Sequence, residues 1–354
     1  MKNLTFLLLL LSIIGCKKDN AVALTPTDGM YFPLNTDNVW ETKTVAALGW
    51  KQAALPSLKT YLAQKNTRSF MILVNGRIVM EEYFNGHSAT ATWQWNSAGK
   101  TLVAATTGIA RQEGLLNINN KVSQYLNVGW TSEPILKENL ITTRHLLTMT
   151  SGINDANEFI TKANLTYLAD AGSRWSYHNV FQKLMDVVAE AGKQDFETYF
   201  NAKLKTKIGM EGFWNNGLIF KIYNSNTRSM ARFGLLALNK GKWKNETIVN
   251  EPFFLESINT SQNINPSYGY LWWLNGKSTY MVPGRQTVFN TNLVSNAPSD
   301  MYAAMGASDQ RIYVVPGKNM VIVRMGEASD PGNPNFAVSG FDNELWLKIN
   351  AVIN

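Results

Sequence analysis

Cysteine is nearly absent: of 354 residues only Cys16 carries a thiol. That excludes an intramolecular disulfide and a cysteine-based metal site. Histidine is almost as scarce, at His87, His145 and His178, and no His-Glu-x-x-His stretch places two of them on one helix face to hold zinc. No Gly-x-Ser-x-Gly elbow presents a serine, which argues against a Ser-His-Asp hydrolase of that design. Like charge never forms a run of five or six. The formal excess of +7 is therefore scattered over the chain, which speaks against a nucleic-acid partner and leaves at most a weak bias toward anionic surfaces or substrates. Internal repeats are missing as well. Neither metal nor cofactor is expected.

The first residues read as an export signal. Met1-Lys2-Asn3 supplies a short positive start, Leu4 to Ile14 an apolar core, and Ile13-Ile14-Gly15-Cys16 a small-residue cleavage site ending in cysteine. A spanning helix needs about 20 apolar residues, so this stretch is too short to stay as an anchor by itself. It resembles a bacterial lipoprotein signal, which implies removal of residues 1–15 and acylation of Cys16. Two or more acyl chains give stable membrane attachment where one gives only marginal binding. The expected location is the cell envelope, with the protein tethered to a bacterial membrane through lipid on Cys16. Residues 16–45, polar and without an apolar period, read as the lipidated N-terminus and tether.

From 46 to 354 the pattern is that of one folded domain. Apolar residues recur at helical spacing from Trp50 to Lys65, and Phe70–Val74 then runs through Asn75-Gly76 into Ile78–Met80, the strongest short hairpin signal. Helical patterns follow at Ser97–Glu113, Phe181–Ala191 and Met230–Leu238, placing a mostly helical subdomain at about 115–270. A second hairpin, Arg311–Val315 and Met320–Met325, turns at Pro316-Gly317-Lys318-Asn319, and a helix from about Phe341 to Val352 closes the chain. Strands at both ends with helices between predict an α+β fold: an antiparallel sheet formed from both chain ends, flanked by helices.

Within Trp95-Asn96-Ser97-Ala98-Gly99-Lys100, a serine at a helix start meets a lysine one turn later. Residues i and i+3 share a helix face, and a desolvated lysine amine activates a hydroxyl by taking its proton. Further on come Thr142-Thr143-Arg144-His145-Leu146-Leu147-Thr148-Met149-Thr150-Ser151-Gly152 and Ser176-Tyr177-His178-Asn179, then Lys207-Ile208-Gly209-Met210, Met230-Ala231-Arg232-Phe233-Gly234 and Tyr268-Gly269-Tyr270-Leu271-Trp272-Trp273.

In this order and at these separations the motifs resemble the serine β-lactamase-like family, the class C β-lactamase-related hydrolases that include DD-peptidases and esterases. The resemblance covers about Trp50 to the C-terminus and implies a β-lactamase/transpeptidase-like fold. It makes Ser97 the acylated nucleophile, Lys100 its base or proton shuttle, and Tyr177 the phenol that exchanges protons with nucleophile and leaving group. A phenol is a useful base near neutrality only if cations stabilise its anion, a reason for Lys100 to sit close. Asn179 would orient substrate and lysine. The third motif of the family, Lys-Thr-Gly or His-x-Gly, aligns with Ala304-Met305-Gly306. Gly306 would let substrate approach the strand, and the Ala307 and Ser97 N–H groups would form an oxyanion hole. The cationic or imidazole side chain has no counterpart at Ala304; Arg285 and Arg311 are the candidates to replace it. Met149 also stands where that loop of the family commonly has histidine.

The reading that follows is a serine hydrolase acting on a small-molecule or peptide ester or amide through an acyl-enzyme on Ser97. A cell-wall DD-peptidase or β-lactamase is the rival of the same chemistry, and a non-catalytic binding lipoprotein that keeps the fold is the rival of another class. Trp93, Trp95 and Trp175 flank the motifs, either lining a cleft or packing the core.

Overall fold

In the computed structural model, described residues are 29–36, 39–217, 219–332, 338 and 340–354. Cys16 and the export signal lie outside them. A six-stranded antiparallel sheet runs in the order Arg77–Tyr83, Thr67–Val74, Met320–Gly326, Gln310–Val315, Tyr302–Gly306, Trp273–Leu274. Its central pairing joins the two ends of the domain, with Ile72 opposite Ile322 and Val74 opposite Met320. Both predicted hairpins are present. Asn75 and Gly76 take φ of 49° and 78°, the left-handed pair that a two-residue hairpin turn requires.

Alternation along the strands feeds two helical layers. On one face the terminal helices Leu55–Gln64 and Gly340–Ile353 pack together, and the Trp346 ring meets Tyr313 edge-on at 5.6 Å. On the other, Thr227–Leu238 lies against strands Met320–Gly326 and Gln310–Val315. A Cβ on Gly234 would stand 2.5 Å from Val321 Cγ1, so the missing side chain is what lets this helix approach the sheet. Helix Lys100–Gln112 is buried from Lys100 to Ala110. Its interior threonines are satisfied locally, Thr106 and Thr107 donating to the carbonyls of Leu102 and Val103 at 2.7 and 2.8 Å.

Two expectations need correction. Residues 39–45, assigned to the tether, are part of the fold: Trp40 is buried and its indole donates to the Gly76 carbonyl at 2.7 Å. Lys43 N–H and Ile78 N–H bond the carbonyls of Ile78 and Glu41, extending the sheet edge by a single bridge at Thr42. A lone bridge needs no apolar period, which is why the pattern concealed it. The segment 115–270 holds short helices as expected, but also two strands, Lys221–Ser225 and Phe213–Asn216, which form a three-stranded sheet with Trp93–Gln94 from outside it. Only Trp214 of the four residues Phe213–Asn216 is buried, too little apolar signal to read as a strand. Among the described residues no helix is long and apolar enough to cross a membrane.

Candidate active site

The serine turn is held from below. Trp95 is buried, its N–H donates to the Tyr223 carbonyl and its indole to Ser225 Oγ, both at 2.8 Å. The 3₁₀ turn Asn96–Gly99 then leads straight into helix Lys100–Gln112. One turn apart, Lys100 Nζ and Ser97 Oγ are 2.8 Å from each other. Ser97 is half-buried and Lys100 is 2% exposed. The lysine head sits over the rings of Tyr177 and Phe181, 4.5 and 4.4 Å from their centroids. Burial pulls its pKa down to about 7, against the opposing charge of Glu158. A substantial neutral fraction therefore exists near neutral pH, and a neutral amine accepts a proton.

Tyr177 enters from the loop after Trp175. The Ser176 N–H donates to the Met149 carbonyl at 2.8 Å, so the Thr148–Ser151 motif serves to anchor the tyrosine loop. Met149 holds a left-handed φ of 58° and is buried. It packs in the core and adds no polar group. The Tyr177 ring stacks on Trp273 at 5.6 Å, and its hydroxyl faces Ser97 and Trp273. Burial raises the phenol pKa above its ordinary value, outweighing the Ser97 contact and the Arg311 charge. The Lys100 head lies over the ring face, and burial favours the neutral phenol.

Strand Tyr302–Gly306 passes the serine turn at backbone distance. A Cβ on Gly306 would lie 2.5 Å from the Trp95 carbonyl oxygen and 2.9 Å from the Ser97 nitrogen, so glycine is obligatory for this approach. Ala307 follows at the cleft wall. Its carbonyl accepts the Asn96 side-chain amide at 2.8 Å, which fixes the strand end against the serine turn. Asn96 has φ of 48°. The sequence reading passed over it, although its place before Ser97 was the available signal.

The missing cation at Ala304 has no substitute from Arg311. That guanidinium is fully buried, bonding Asp342 Oδ1 at 2.6 Å, Asp309 Oδ1 at 2.9 Å and the Gly306 carbonyl at 2.8 Å. It braces the strand end from behind. Arg285 is exposed beyond Pro283 and Gly284, which line the cleft. Asn179 lines the cleft too, but its amide donates to the Glu158 carbonyl at 3.3 Å, so it ties the facing loop instead of contacting Lys100. Trp95 and Trp175 pack in the core, and none of the three flanking tryptophans lines the cleft.

The cleft encloses about 440 Å³ and is lined by Ser97, Tyr177 and Ala307 together with Asp155, Glu158, His178 and Phe220. Asp155 and Glu158 were not singled out from sequence, since acids in a polar loop look like solvated surface. Among the described residues no group of three or more His, Cys, Asp or Glu is placed to hold a metal ion.

The fold has solved counterparts. A provisionally named 6-aminohexanoate-dimer hydrolase from Bacillus anthracis shares 16% identity with a TM-score of 0.68, over 90% of this chain and 89% of that one. EstCE1, described as a hydrolase with promiscuous acyltransferase activity, shares 11% identity, TM-score 0.63, over 88% and 99%. A penicillin-binding protein from Bacillus halodurans shares 15%, TM-score 0.60, over 83% and 99%. At these identities the likeness is one of fold. No curated protein matches the sequence significantly. The Beta-lactamase family profile matches residues 59–337, most of the chain, and this protein belongs to the Beta-lactamase family.

Proposed function

We propose that this chain is a serine hydrolase that cleaves an ester or amide through an acyl-enzyme on Ser97. The observation that carries the reading is the buried amine of Lys100, 2.8 Å from the Ser97 hydroxyl oxygen. Neutral Lys100 takes the Ser97 proton as Oγ bonds to the substrate carbonyl carbon. The oxyanion that forms is met by the N–H groups of Ser97 and Ala307. Protonated Tyr177 supplies the proton with which the leaving group departs, and Lys100 returns its own proton to the Tyr177 oxygen, Ser97 Oγ now being acylated. Water then attacks the acyl-enzyme under the same base. EstCE1 and the 6-aminohexanoate-dimer hydrolase, by name a hydrolase of promiscuous acyl transfer and a hydrolase of an amide dimer, are consistent with either bond type.

A β-lactamase or DD-peptidase reading has the family name behind it, but Ala304 offers no cation for a substrate carboxylate. A binding lipoprotein without catalysis leaves the desolvated Lys100 unexplained. The test is a fluorophosphonate probe followed by peptide mapping. Label on Ser97, lost in Ser97→Ala, supports the hydrolase, while folded protein that takes no label at Ser97 overturns it. Radiolabelled penicillin, neither retained nor turned over, removes the β-lactam rival.

The same proposal places the enzyme at a bacterial envelope membrane by acyl chains on Cys16, supported by the signal pattern that ends there. Intact mass of membrane-extracted protein tests it, and an unmodified Cys16 refutes it.

A further inference from the structure

The open acid of the cleft that holds Ser97 is Glu158. Its carboxylate enters no ion pair among the described residues, only its backbone carbonyl being taken, by Asn179. His178 also lines the cleft but is 5% exposed. Its Nε2 bonds the Asn157 carbonyl at 2.8 Å, which requires the proton on that nitrogen. Nδ1 is therefore a lone pair, and it is buried without a partner. Burial holds the ring below the ordinary imidazole range, so it stays neutral. Asp155 is balanced by Arg174 at 3.1 Å and by the Ser176 hydroxyl. Phe220 adds an aromatic side chain, the kind of surface a cation favours. Ala304 offers no positive charge to set against Glu158.

We infer that the substrate carries an ammonium group, which docks against the Glu158 carboxylate while its carbonyl lies at Ser97. The inference rests on the serine hydrolase reading and names the substrate class of that site. An anionic group would meet the Glu158 carboxylate, and an apolar one would leave it unmet. This reverses the bias toward anionic substrates suggested by the net charge of +7, because the charges that decide are those in the cleft.

The experiment compares 4-nitrophenyl esters of 6-aminohexanoate, heptanoate and pimelate, which share a chain length and differ in the charge of its end. A second series, the acetates of 6-aminohexanol and heptanol, puts the ammonium on the leaving side. Rates are corrected for uncatalysed hydrolysis. In at least one series kcat/KM for the cationic substrate should exceed that of its neutral isostere by about tenfold, the size of one charge-assisted contact. Glu158→Gln should bring that ratio near one, Glu158→Asp should keep it above one, and Glu158→Lys should favour pimelate. General damage to the fold lowers all substrates alike and leaves the ratio standing. Equal or inverted preference in both series, or a preference that survives Glu158→Gln, overturns the inference. Failure to turn over any ester together with an unlabelled Ser97 would instead overturn the hydrolase reading beneath it.

Discussion

Lys100 Nζ lies 2.8 Å from Ser97 Oγ and over the face of Tyr177 at 4.5 Å from its centroid, so one buried amine touches both partners of the proposed proton relay. Its surroundings are aromatic, and desolvation is what brings its pKa near neutrality.

Lys100→Ala should lower kcat/KM for any ester substrate by about 10²–10⁴-fold, the range for loss of a positioned general base. Steady-state rates over pH give the second reading. The wild-type kcat/KM should rise through pH of about 7 as Lys100 loses its proton, following the value to which burial lowers it.

Stability should follow the same group with a definite sign. The folded pKa is depressed from 10.5 to about 7, so between those values the unfolded chain binds the proton that the folded one has released. Resistance to urea should therefore increase with pH across that window through this residue, and Lys100→Met should flatten that contribution. Denaturation midpoints at several pH values check it.

Tyr177→Phe should reduce kcat by about 10²-fold with the fold intact. Since burial raises the phenol pKa, the wild-type rate should show no loss from Tyr177 ionisation at pH 9. A falling limb that begins near neutrality and vanishes in Tyr177→Phe would contradict the proton-donor role.

Gly306→Ala would force a methyl to within 2.9 Å of the Ser97 nitrogen. Activity should fall by about 10²-fold or more, as when one oxyanion donor is displaced. The stability loss should be about 1–3 kcal/mol, typical of overpacking. Probe labelling of Ser97 and thermal melts separate the two effects.

Asp342→Asn should destabilise the protein by about 1–3 kcal/mol, because it removes one of the two carboxylates that pair the buried Arg311 guanidinium and leaves Asp309 as the other. Arg311 Nε to Asp342 Oδ1 is 2.6 Å and both side chains are fully or almost fully buried. Loss of this brace behind Gly306 should also lower activity more than binding, visible as a fall in kcat with KM little changed.

Much of this was legible beforehand. Both hairpins and the helices after Ser97 and near the C-terminus follow from local periodicity, the Ser97 and Lys100 pair from its spacing, and Tyr177 beside them from the family resemblance. What was hidden depends on three-dimensional context. Trp40 sits in a polar stretch, and what buries it is distant in sequence: the Gly76 carbonyl that its indole bonds and the Arg232 guanidinium over its ring. Asn96 and Arg311 carry no local pattern that reveals a bond to a carbonyl on another strand. Glu158 and His178 line the cleft from chain segments on either side of Trp175, which no local pattern reveals.

The pairing at the middle of the sheet sets an order of events. Thr67 and Arg324, bonded across it, are 257 residues apart, and Asn96 and Ala307 are 211 apart. Long-range pairings of this kind form slowly, after loop closure. A nascent chain that has passed Ser97 still lacks Ala307, its proposed oxyanion partner, until almost all of the polypeptide has emerged. Truncated molecules therefore hold Ser97 and Lys100 without the strand Tyr302–Gly306 that passes them.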